Sequence, residues 1–360
     1  MIEAAVLALA CGRSVARVPV RLPAPIVART GCGTYAIGTD GRVAPYRRNW
    51  APAWAPRAVA RAAPGVWVAH PHGRLALYRA GRLLWRSRMR IMSDEVSFHR
   101  GAIAIGVYES YESQGPTLWM ARLGAHEFRV AESEEPIGWV AGGLVTQHGN
   151  AIRVRGPDGT LYRTLARGRS PAYDAANRTV VFVRRDGAIV RTDGLHLWRL
   201  ARARRSAWVA VLANRTLEVT VGRRALYLRP DGSRVGVGPD PSGGVIDLPG
   251  ERGVVYVTAR ARETRAGVAT PGVNVVYILD ASGRRRRLYT HAVPWVGCGE
   301  WAGVSYAHGR ILYADSEGPA AVLDPSGRRP PLDLTPALHV LQPKLATRAR
   351  LSADWRANWR

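Results

Sequence analysis

The sequence predicts an all-β fold in which short antiparallel sheets repeat along the chain. Three observations support this prediction: apolar runs of four to six residues, glycine turns between the runs, and no amphipathic helical pattern longer than two turns in residues 33–335. Of 360 residues, 47% are hydrophobic and 22% are charged. This composition supplies a large core and excludes general disorder, and no apolar run reaches the roughly 20 residues of a membrane-spanning helix.

Turn dipeptides separate the apolar runs. Asp-Gly and similar pairs supply the positive φ that tight hairpins between antiparallel strands require. Their recurrence along the body of the chain predicts antiparallel strands throughout. The pairs are Asp40-Gly41, His72-Gly73, His148-Gly149, Asp158-Gly159, Asp186-Gly187, Asp193-Gly194, Asp231-Gly232, Ser282-Gly283, His308-Gly309 and Ser326-Gly327.

The strands and turns recur in larger units of four strands each. Seven units can be placed between residues 65 and 338, with a period of about 39 residues. Such a unit is typical of a β-propeller blade, whose two faces are buried only when blades stack around an axis. We therefore predict a β-propeller of seven four-stranded blades, with six or eight as alternatives. The units are 65–96, 97–135, 136–169, 170–205, 206–243, 244–299 and 300–338.

Two of these units resemble blades of known propeller families. Residues 66–78 and 81–85, VWVAHPHGRLALY and GRLLW, resemble a blade of quinoprotein-like propellers. Residues 170–202 resemble a TolB-like blade, although the segment DAAN at 174–177 replaces the usual Ser-Pro-Asp-Gly turn. These resemblances imply a propeller that is either a protein-binding scaffold or an enzyme, since quinone-dependent dehydrogenases and hydrolases also carry such blades.

The N-terminal residues 1–31 differ from the repeating body. Ala4–Ala10 are mostly apolar and are followed by Cys11, which indicates an export-signal remnant with a candidate lipidation site. The following residues are rich in Arg, Pro and Val and are expected to form an extended leader. We therefore predict an exported, periplasmic or cell-envelope protein, with a cytoplasmic protein as the alternative.

Residues 32–338 are expected to form a single propeller domain, and residues 339–360 a basic tail. Leu351, Trp355 and Trp359 fall at four-residue spacing, so they would share one face of a helix. A short helical tail is therefore predicted, either docked on the body or touching an anionic membrane surface.

A propeller ring needs a joint between its first and last blades, because open sheet edges would remain unpaired. The segment Thr30–Ala36 resembles the segment Val296–Ala302. We predict that the N-terminal strands complete or flank the last blade, which would bring Cys32 near Cys298. In an exported protein these two could form a disulfide; two separate thiols are the alternative.

The chain is strongly basic, with a formal charge of +25. Lys344 is its only lysine, so arginine supplies almost all the positive charge. This bias indicates solvated surface rather than nucleic-acid binding, with an arginine-driven polyanion or membrane-surface contact as the alternative. Residues 92–135 instead carry a net charge of −5. This acidic sector either pairs with neighbouring arginines or docks a basic partner.

The sequence contains no recognisable catalytic motif. Gly303–Ala307 is not a nucleophile elbow, and no phosphate-binding glycine loop, dinucleotide fingerprint or calcium loop is present. His70 and His72 are weak candidates for metal ligands, because residues two apart share one strand face. No cofactor is predicted.

Long connections between strands are the best candidates for a binding rim. They are residues 108–117, with Tyr108, Glu109, Tyr111 and Glu112, and residues 259–273. We therefore predict a monomeric, non-catalytic propeller that recognises a protein or cell-envelope ligand through loops on one ring face. The alternative is a propeller enzyme whose site is assembled from several blades.

Overall fold

The structure is a computed structural model that is almost entirely β. It describes residues 17–30, 33–45, 58–63, 65–91, 93, 95–108, 115–203, 207–239, 241, 243–261, 270–296, 302–315, 320–336 and 352–355. These residues form 31 β-strands and two short 3-10 helices, at Pro71–Gly73 and Pro249–Glu251. None of the helices in these ranges is long and apolar enough to cross a membrane. The all-β prediction is confirmed.

The described strands form six separate four-stranded sheets and one seven-stranded sheet, all antiparallel. We number the four-stranded units as blades in chain order, and blades 4 and 5 are the two halves of the seven-stranded sheet. Blade 1 contains β1 (Ile26–Thr30), β2 (Gly33–Ile37), β3 (Val43–Pro45) and β31 (Ser352–Trp355); blade 2 contains β4 (Ala58–Ala63), β5 (Val66–Ala69), β6 (Ala76–Arg79) and β7 (Arg82–Arg86); blade 3 contains β8 (Val96–His99), β9 (Ala102–Val107), β10 (Thr117–Arg122) and β11 (Phe128–Ala131).

The remaining strands follow the same order. Blades 4 and 5 contain β12 (Glu134–Val140), β13 (Gly143–His148), β14 (Ala151–Arg155), β15 (Leu161–Asp174), β16 (Thr179–Arg184), β17 (Ala188–Thr192) and β18 (Leu197–Arg202); blade 6 contains β19 (Trp208–Val211), β20 (Leu217–Val221), β21 (Arg224–Leu228) and β22 (Arg234–Pro239); blade 7 contains β23 (Val245–Leu248), β24 (Gly253–Ala261), β25 (Thr270–Asp280) and β26 (Arg285–Val296); blade 8 contains β27 (Ala302–Ala307), β28 (Arg310–Asp315), β29 (Ala320–Leu323) and β30 (Leu332–Asp333).

One strand, β15, belongs to both blades 4 and 5. Its residues 161–167 pair with β14, and its residues 168–174 pair with β16. A bulge between Arg169 and Ala172, with Ser170 at φ +48°, marks the place where the strand leaves one sheet for the next. The propeller prediction is therefore confirmed. Six blades are separate four-stranded sheets, which lies within the predicted range of six to eight, and blades 4 and 5 share the seven-stranded sheet.

The two ends of the chain meet in blade 1. β31 pairs antiparallel with β1, from Ile26 opposite Trp355 to Arg29 opposite Ser352. The predicted helix in the C-terminal tail is therefore wrong for residues 352–355, because the open edge of β1 offers backbone hydrogen bonds that favour an extended segment. Residues from 17 onward already pack on this blade, and the boundary expected at residue 32 falls between its strands β1 and β2.

The described residues form seven apolar clusters in the core, and each cluster joins two neighbouring blades. The cluster between blades 2 and 3, for example, contains Leu77 and Trp85 from one sheet and Phe98 and Ile105 from the other. Another cluster packs blade 1 against β28 and β29 of blade 8. Strands buried on both faces explain apolar residues at consecutive positions, as in β9.

Because the strands are antiparallel, successive connections alternate between the two faces of the ring. Connections between the first and second and between the third and fourth strands of each blade lie on one face, which we call the turn face. Connections between the second and third strands and between blades lie on the other, the loop face. The third-to-fourth turns each contain a glycine with φ between +67° and +89°: Gly41, Gly81, Gly124, Gly159, Gly194, Gly232, Gly283 and Gly327.

Candidate functional site

Tyr108 and two carboxylates meet on the loop face between blades 3 and 4. Tyr108 follows β9 and is 56% exposed. Glu95 precedes β8, and Glu135 lies at the start of β12. Both carboxylates are close enough to affect the ionisation of the Tyr108 hydroxyl. We call these three residues the acidic patch; they place an exposed aromatic ring beside negative charge from two blades.

A hydrogen-bond network holds Glu95 in this position. His70, from blade 2, donates from Nε2 to the Ser93 carbonyl oxygen at 2.9 Å. The Ser93 hydroxyl donates to the Gly106 carbonyl oxygen, and the Glu95 N–H donates to Ser93 Oγ at 3.1 Å. The Gly106 N–H donates in turn to the Glu95 carbonyl oxygen at 3.0 Å. The segment before blade 3 is thus fixed to both blade 2 and β9.

Gly106 is required because blades 3 and 4 converge closely at the acidic patch. A Cβ at this position would lie 2.6 Å from Glu95 Oε2 and 3.1 Å from Cδ of Pro136 in β12. Any side chain here would push Glu95 or β12 away. The missing side chain therefore allows carboxylates of two different blades to approach Tyr108.

The acidic patch changes the ionisation of its own groups. Burial, the nearby carboxylates of Glu95 and Glu135, and a hydrogen bond with Glu95 raise the pKa of Tyr108. Burial also raises the pKa of Glu135, and no described arginine forms an ion pair with this carboxylate. The patch is therefore a place where a cation from another molecule would relieve an unfavourable negative charge.

The preceding residue, Glu134, shows the opposite behaviour. Its buried carboxylate accepts hydrogen bonds from Arg155 at 2.6 and 2.8 Å and from Arg153 at 2.9 Å, and it also accepts one from the Thr146 hydroxyl. Burial opposes its ionisation, but the bonds from Arg155, Thr146 and Arg153 outweigh burial and lower the pKa of Glu134. Glu134 forms ion pairs that stabilise the fold, whereas the Glu135 carboxylate remains available to another molecule.

Several predicted site residues lie outside the described residues. They are Glu109, Tyr111 and Glu112 in the connection after Tyr108, and Cys11, Cys32 and Cys298. The disulfide and lipidation hypotheses therefore stay predictions. The side chain of His72 is also outside the described part, while that of His70 is used to hold Ser93. Within the described ranges, no three His, Cys, Asp or Glu residues are grouped as metal ligands.

The second predicted recognition loop, residues 259–273, is shorter than expected. Residues up to 261 belong to β24 and residues from 270 belong to β25, and the pairing continues to Ala261 opposite Gly272. The expectation of a loop over that full span was wrong, because the two strands continue pairing beyond the length typical of the other blades. Blade 7 therefore presents long paired strands towards the loop face.

Trp208 is an exposed tryptophan on an inner strand, and sequence patterns did not distinguish it from the other tryptophans. Trp208 starts β19 and is 67% exposed, whereas Trp85 and Trp139 are buried in the core. First strands of neighbouring blades contact one another, so β19 lies near the centre of the ring. Trp208 therefore offers a second aromatic side chain at the loop-face end of a central strand.

A cavity of about 580 Å³ opens on the loop face between blades 4 and 5. Sequence analysis missed it, because arginines are so frequent in this chain that no single one stands out. The cavity lies beside the bulge of β15, where one strand crosses between two sheets without an intervening loop. Its lining residues are His148, Asn150, Ala151, Arg167, Gly168, Arg169, Val183 and Arg185.

The centre of the turn face carries a different kind of polar cluster. Arg178 Nη2 donates to His99 Nε2 at 3.1 Å and thereby joins blade 5 to blade 3. The His99 ring packs against Trp139 at 6.0 Å between centroids, and the Tyr173 hydroxyl donates to the Trp139 carbonyl oxygen at 2.8 Å. These contacts link blades 3, 4 and 5.

Among the comparisons with known proteins, a likeness to one solved structure supports the fold. No model of a known protein family matches the chain, and no curated protein is similar to it in sequence. Among solved structures, apo AztD from Citrobacter koseri has a TM-score of 0.50 at 10% identity, over 86% of this chain and 94% of that one. BamB from Moraxella catarrhalis has a TM-score of 0.42 at 12% identity, over 87% of this chain and 96% of that one. With the ring of sheets described above, the chain is a β-propeller repeat protein.

Proposed function

We propose that the protein is a non-catalytic binding propeller that docks a partner protein on its loop face, at the acidic patch. The observation that carries this proposal is the exposed ring of Tyr108 beside Glu95 and Glu135. Tyrosine and tryptophan supply most of the binding energy in many protein interfaces, and Trp208 is exposed at the same end of the strands. A rigid ring that presents variable connections on one face suits this role.

Charge defines the chemistry of the partner. The chain as a whole carries +25, whereas residues 92–135 carry −5. A basic segment of a partner would be repelled by most of the surface and steered to the acidic patch. The partner is therefore expected to present Arg or Lys next to an apolar residue that packs on Tyr108.

The proposal includes export to the cell envelope. Its support is the apolar stretch Ala4–Ala10 followed by Cys11. Cell fractionation with an epitope tag at the C-terminus tests it: export predicts the tagged protein outside the cytoplasm and loss of that location when residues 4–10 are replaced by polar residues. Recovery only in the cytoplasm would remove export from the proposal and leave the docking surface to be tested separately.

Site-specific photocross-linking tests the docking surface. A photoreactive phenylalanine analogue at position 108 is compared with the same analogue at position 162, because Tyr162 is 57% exposed and lies at the turn-face end of β15. The proposal predicts a discrete cross-linked partner from position 108 only, and loss of that product with Glu135→Arg. Identical products from both positions, or none from position 108, would refute the docking surface.

A further inference from the structure

We propose that the cavity between blades 4 and 5 is a binding site for the phosphate group of a small phosphorylated compound. This site is separate from the acidic patch and uses positive charge rather than negative charge. The proposal is independent of the docking function, because it stands on different residues and a different ligand.

Three arginines line the cavity, and their charges are not balanced within the protein. The guanidinium groups of Arg167, Arg169 and Arg185 make no hydrogen bond or ion pair with any other described residue, and no carboxylate lines the cavity. By contrast, the nearby Arg153 and Arg155 are both paired with Glu134. The cavity therefore concentrates positive charge that an anionic ligand would neutralise.

The wall of the cavity also contains a polar atom that lacks a partner. His148 Nδ1 is buried and has no hydrogen-bond partner in the described structure. Buried polar atoms of this kind usually have a partner, because leaving one unsatisfied costs free energy. The ring of His148 lies in the cavity wall, and the exposed Asn150 amide on the same wall offers a hydrogen-bonding group to a ligand oxygen.

The charge and the size of the cavity favour a phosphate ester. A phosphate monoester carries about two negative charges and three terminal oxygens at neutral pH. It can therefore contact several guanidinium groups at once better than a single carboxylate can. A cavity of about 580 Å³ is within the range of pockets that hold small organic molecules and is larger than free phosphate needs. The shared chemistry is the phosphate group, and the test below distinguishes an ester from free phosphate.

The fold explains why the site forms at this one place. β15 passes from blade 4 to blade 5 as a continuous strand with a bulge, and the cavity lies at this crossing. A side chain at Gly168 would lie 2.5 Å from the Phe182 ring, so the backbone here is tightly packed beneath the cavity. Arg167 and Arg169 flank that glycine and are fixed on either side of it.

Isothermal titration calorimetry of the full chain at physiological ionic strength tests the proposal. The probes are glycerol 3-phosphate and inorganic phosphate, with glycerol and citrate as controls. We expect saturable one-to-one binding of a phosphate probe, no binding of glycerol and weaker binding of citrate. Tighter binding of glycerol 3-phosphate than of inorganic phosphate would assign an ester as the ligand, whereas the reverse order would assign free phosphate; either supports the site.

Charge-removing variants locate the binding. Arg169→Gln and Arg185→Gln should each weaken phosphate binding about tenfold or more, since each removes a charge-assisted contact. Arg223→Gln is the matched control, because Arg223 is exposed in the equivalent turn of blade 6 and does not line the cavity. Equal weakening by Arg223→Gln, equal affinity for citrate, or no saturable binding would overturn the proposal. Thermal melting of each variant confirms that the fold is retained.

Discussion

The two faces of the ring differ in how many of their charged groups have a partner within the protein. On the turn face, the carboxylates of Asp40, Asp158 and Asp231 accept N–H groups of their own turns, and these backbone hydrogen bonds lower their pKa values. On the loop face, burial raises the pKa of Glu135, and the arginines around the cavity have no described partner. Asp186 on the loop face caps its own turn in the same way. The loop face differs in also presenting Glu135 and the cavity arginines, which have no described ion-pair partner.

This difference teaches how a repeat fold can separate stability from binding. Each turn on the turn face recurs from blade to blade, because every blade needs the same reversal between its third and fourth strands. The loop face is less constrained, since its connections can vary in length without disturbing the sheets. Glu135 and the cavity arginines lie on that face and are therefore candidates for ligand contacts.

The largest effect on stability is expected at Glu134, which is a neighbour of Glu135 in β12 but, unlike Glu135, forms a buried ion pair. Glu134→Gln should reduce the free energy of unfolding by about 3–5 kcal/mol, because it leaves Arg155 buried without a countercharge. Urea denaturation at neutral pH measures this loss. A change below about 1 kcal/mol would show that the ion pair does not contribute to the stability of blade 4.

A smaller effect is expected from two glycines of blade 6 that lie on opposite faces. Gly232 on the turn face has φ +89°, and a Cβ there would lie 2.4 Å from the Leu200 carbonyl oxygen of blade 5. Gly222 on the loop face has φ +58° and nothing within 4 Å of its Cβ position. Gly232→Ala should cost about 2–4 kcal/mol and Gly222→Ala about 1 kcal/mol.

Thermal and urea denaturation of both glycine variants measure the difference. Both positions have a positive φ in the same blade, so the difference between the variants reports mainly the close packing around Gly232, with a smaller contribution from its larger φ. If the two variants lost equal stability, the close packing of turn-face turns on the preceding blade would not contribute to the ring.

A pH-dependent effect is expected at the centre of the turn face. Burial, Arg178 and Arg100 lower the pKa of His99 in the folded state, so the unfolded chain takes up its proton first. The free energy of unfolding should therefore fall as pH is lowered from about 6.5 towards the folded pKa. His99→Gln should flatten this part of the stability profile, as measured by urea denaturation over a series of pH values.

The sequence predicts the blades well because their signals are local. Asp158-Gly159 and Asp231-Gly232 mark third-to-fourth turns, and the consecutive apolar residues of β9 reveal a strand buried on both faces. The seven predicted units overlap blades 2 to 8. Blade 1 was not recognised as a blade, because its strands come from both ends of the chain and β31 is only four residues long.

The site was predictable only in part, because its geometry depends on contacts between blades. Tyr108 stands out in a long connection, but the approach of Glu135 depends on the packing of blade 4 against Gly106. The cavity could not be seen in the sequence, since Arg167 and Arg185 are two arginines among many and only the crossing of β15 brings them together.

The smallest effect on stability is expected at Glu135. Its sign tests whether this loop-face carboxylate is satisfied within the protein. Burial raises its pKa in the folded state, so the ionised carboxylate opposes folding once pH rises through that value. Glu135→Gln should therefore stabilise the protein at neutral pH, by less than about 1 kcal/mol because the side chain is only half-buried.

The sign of this effect is opposite to that of Glu134→Gln, although the two residues are neighbours in β12. Urea denaturation at pH 7 and pH 4 measures it: the gain from Glu135→Gln should shrink as pH is lowered, because the wild-type carboxyl group becomes protonated and resembles the amide. The same variant should weaken cross-linking from position 108. A loss of stability at pH 7 would mean that Glu135 is satisfied within the protein, and its availability for a basic partner would then no longer follow from its environment.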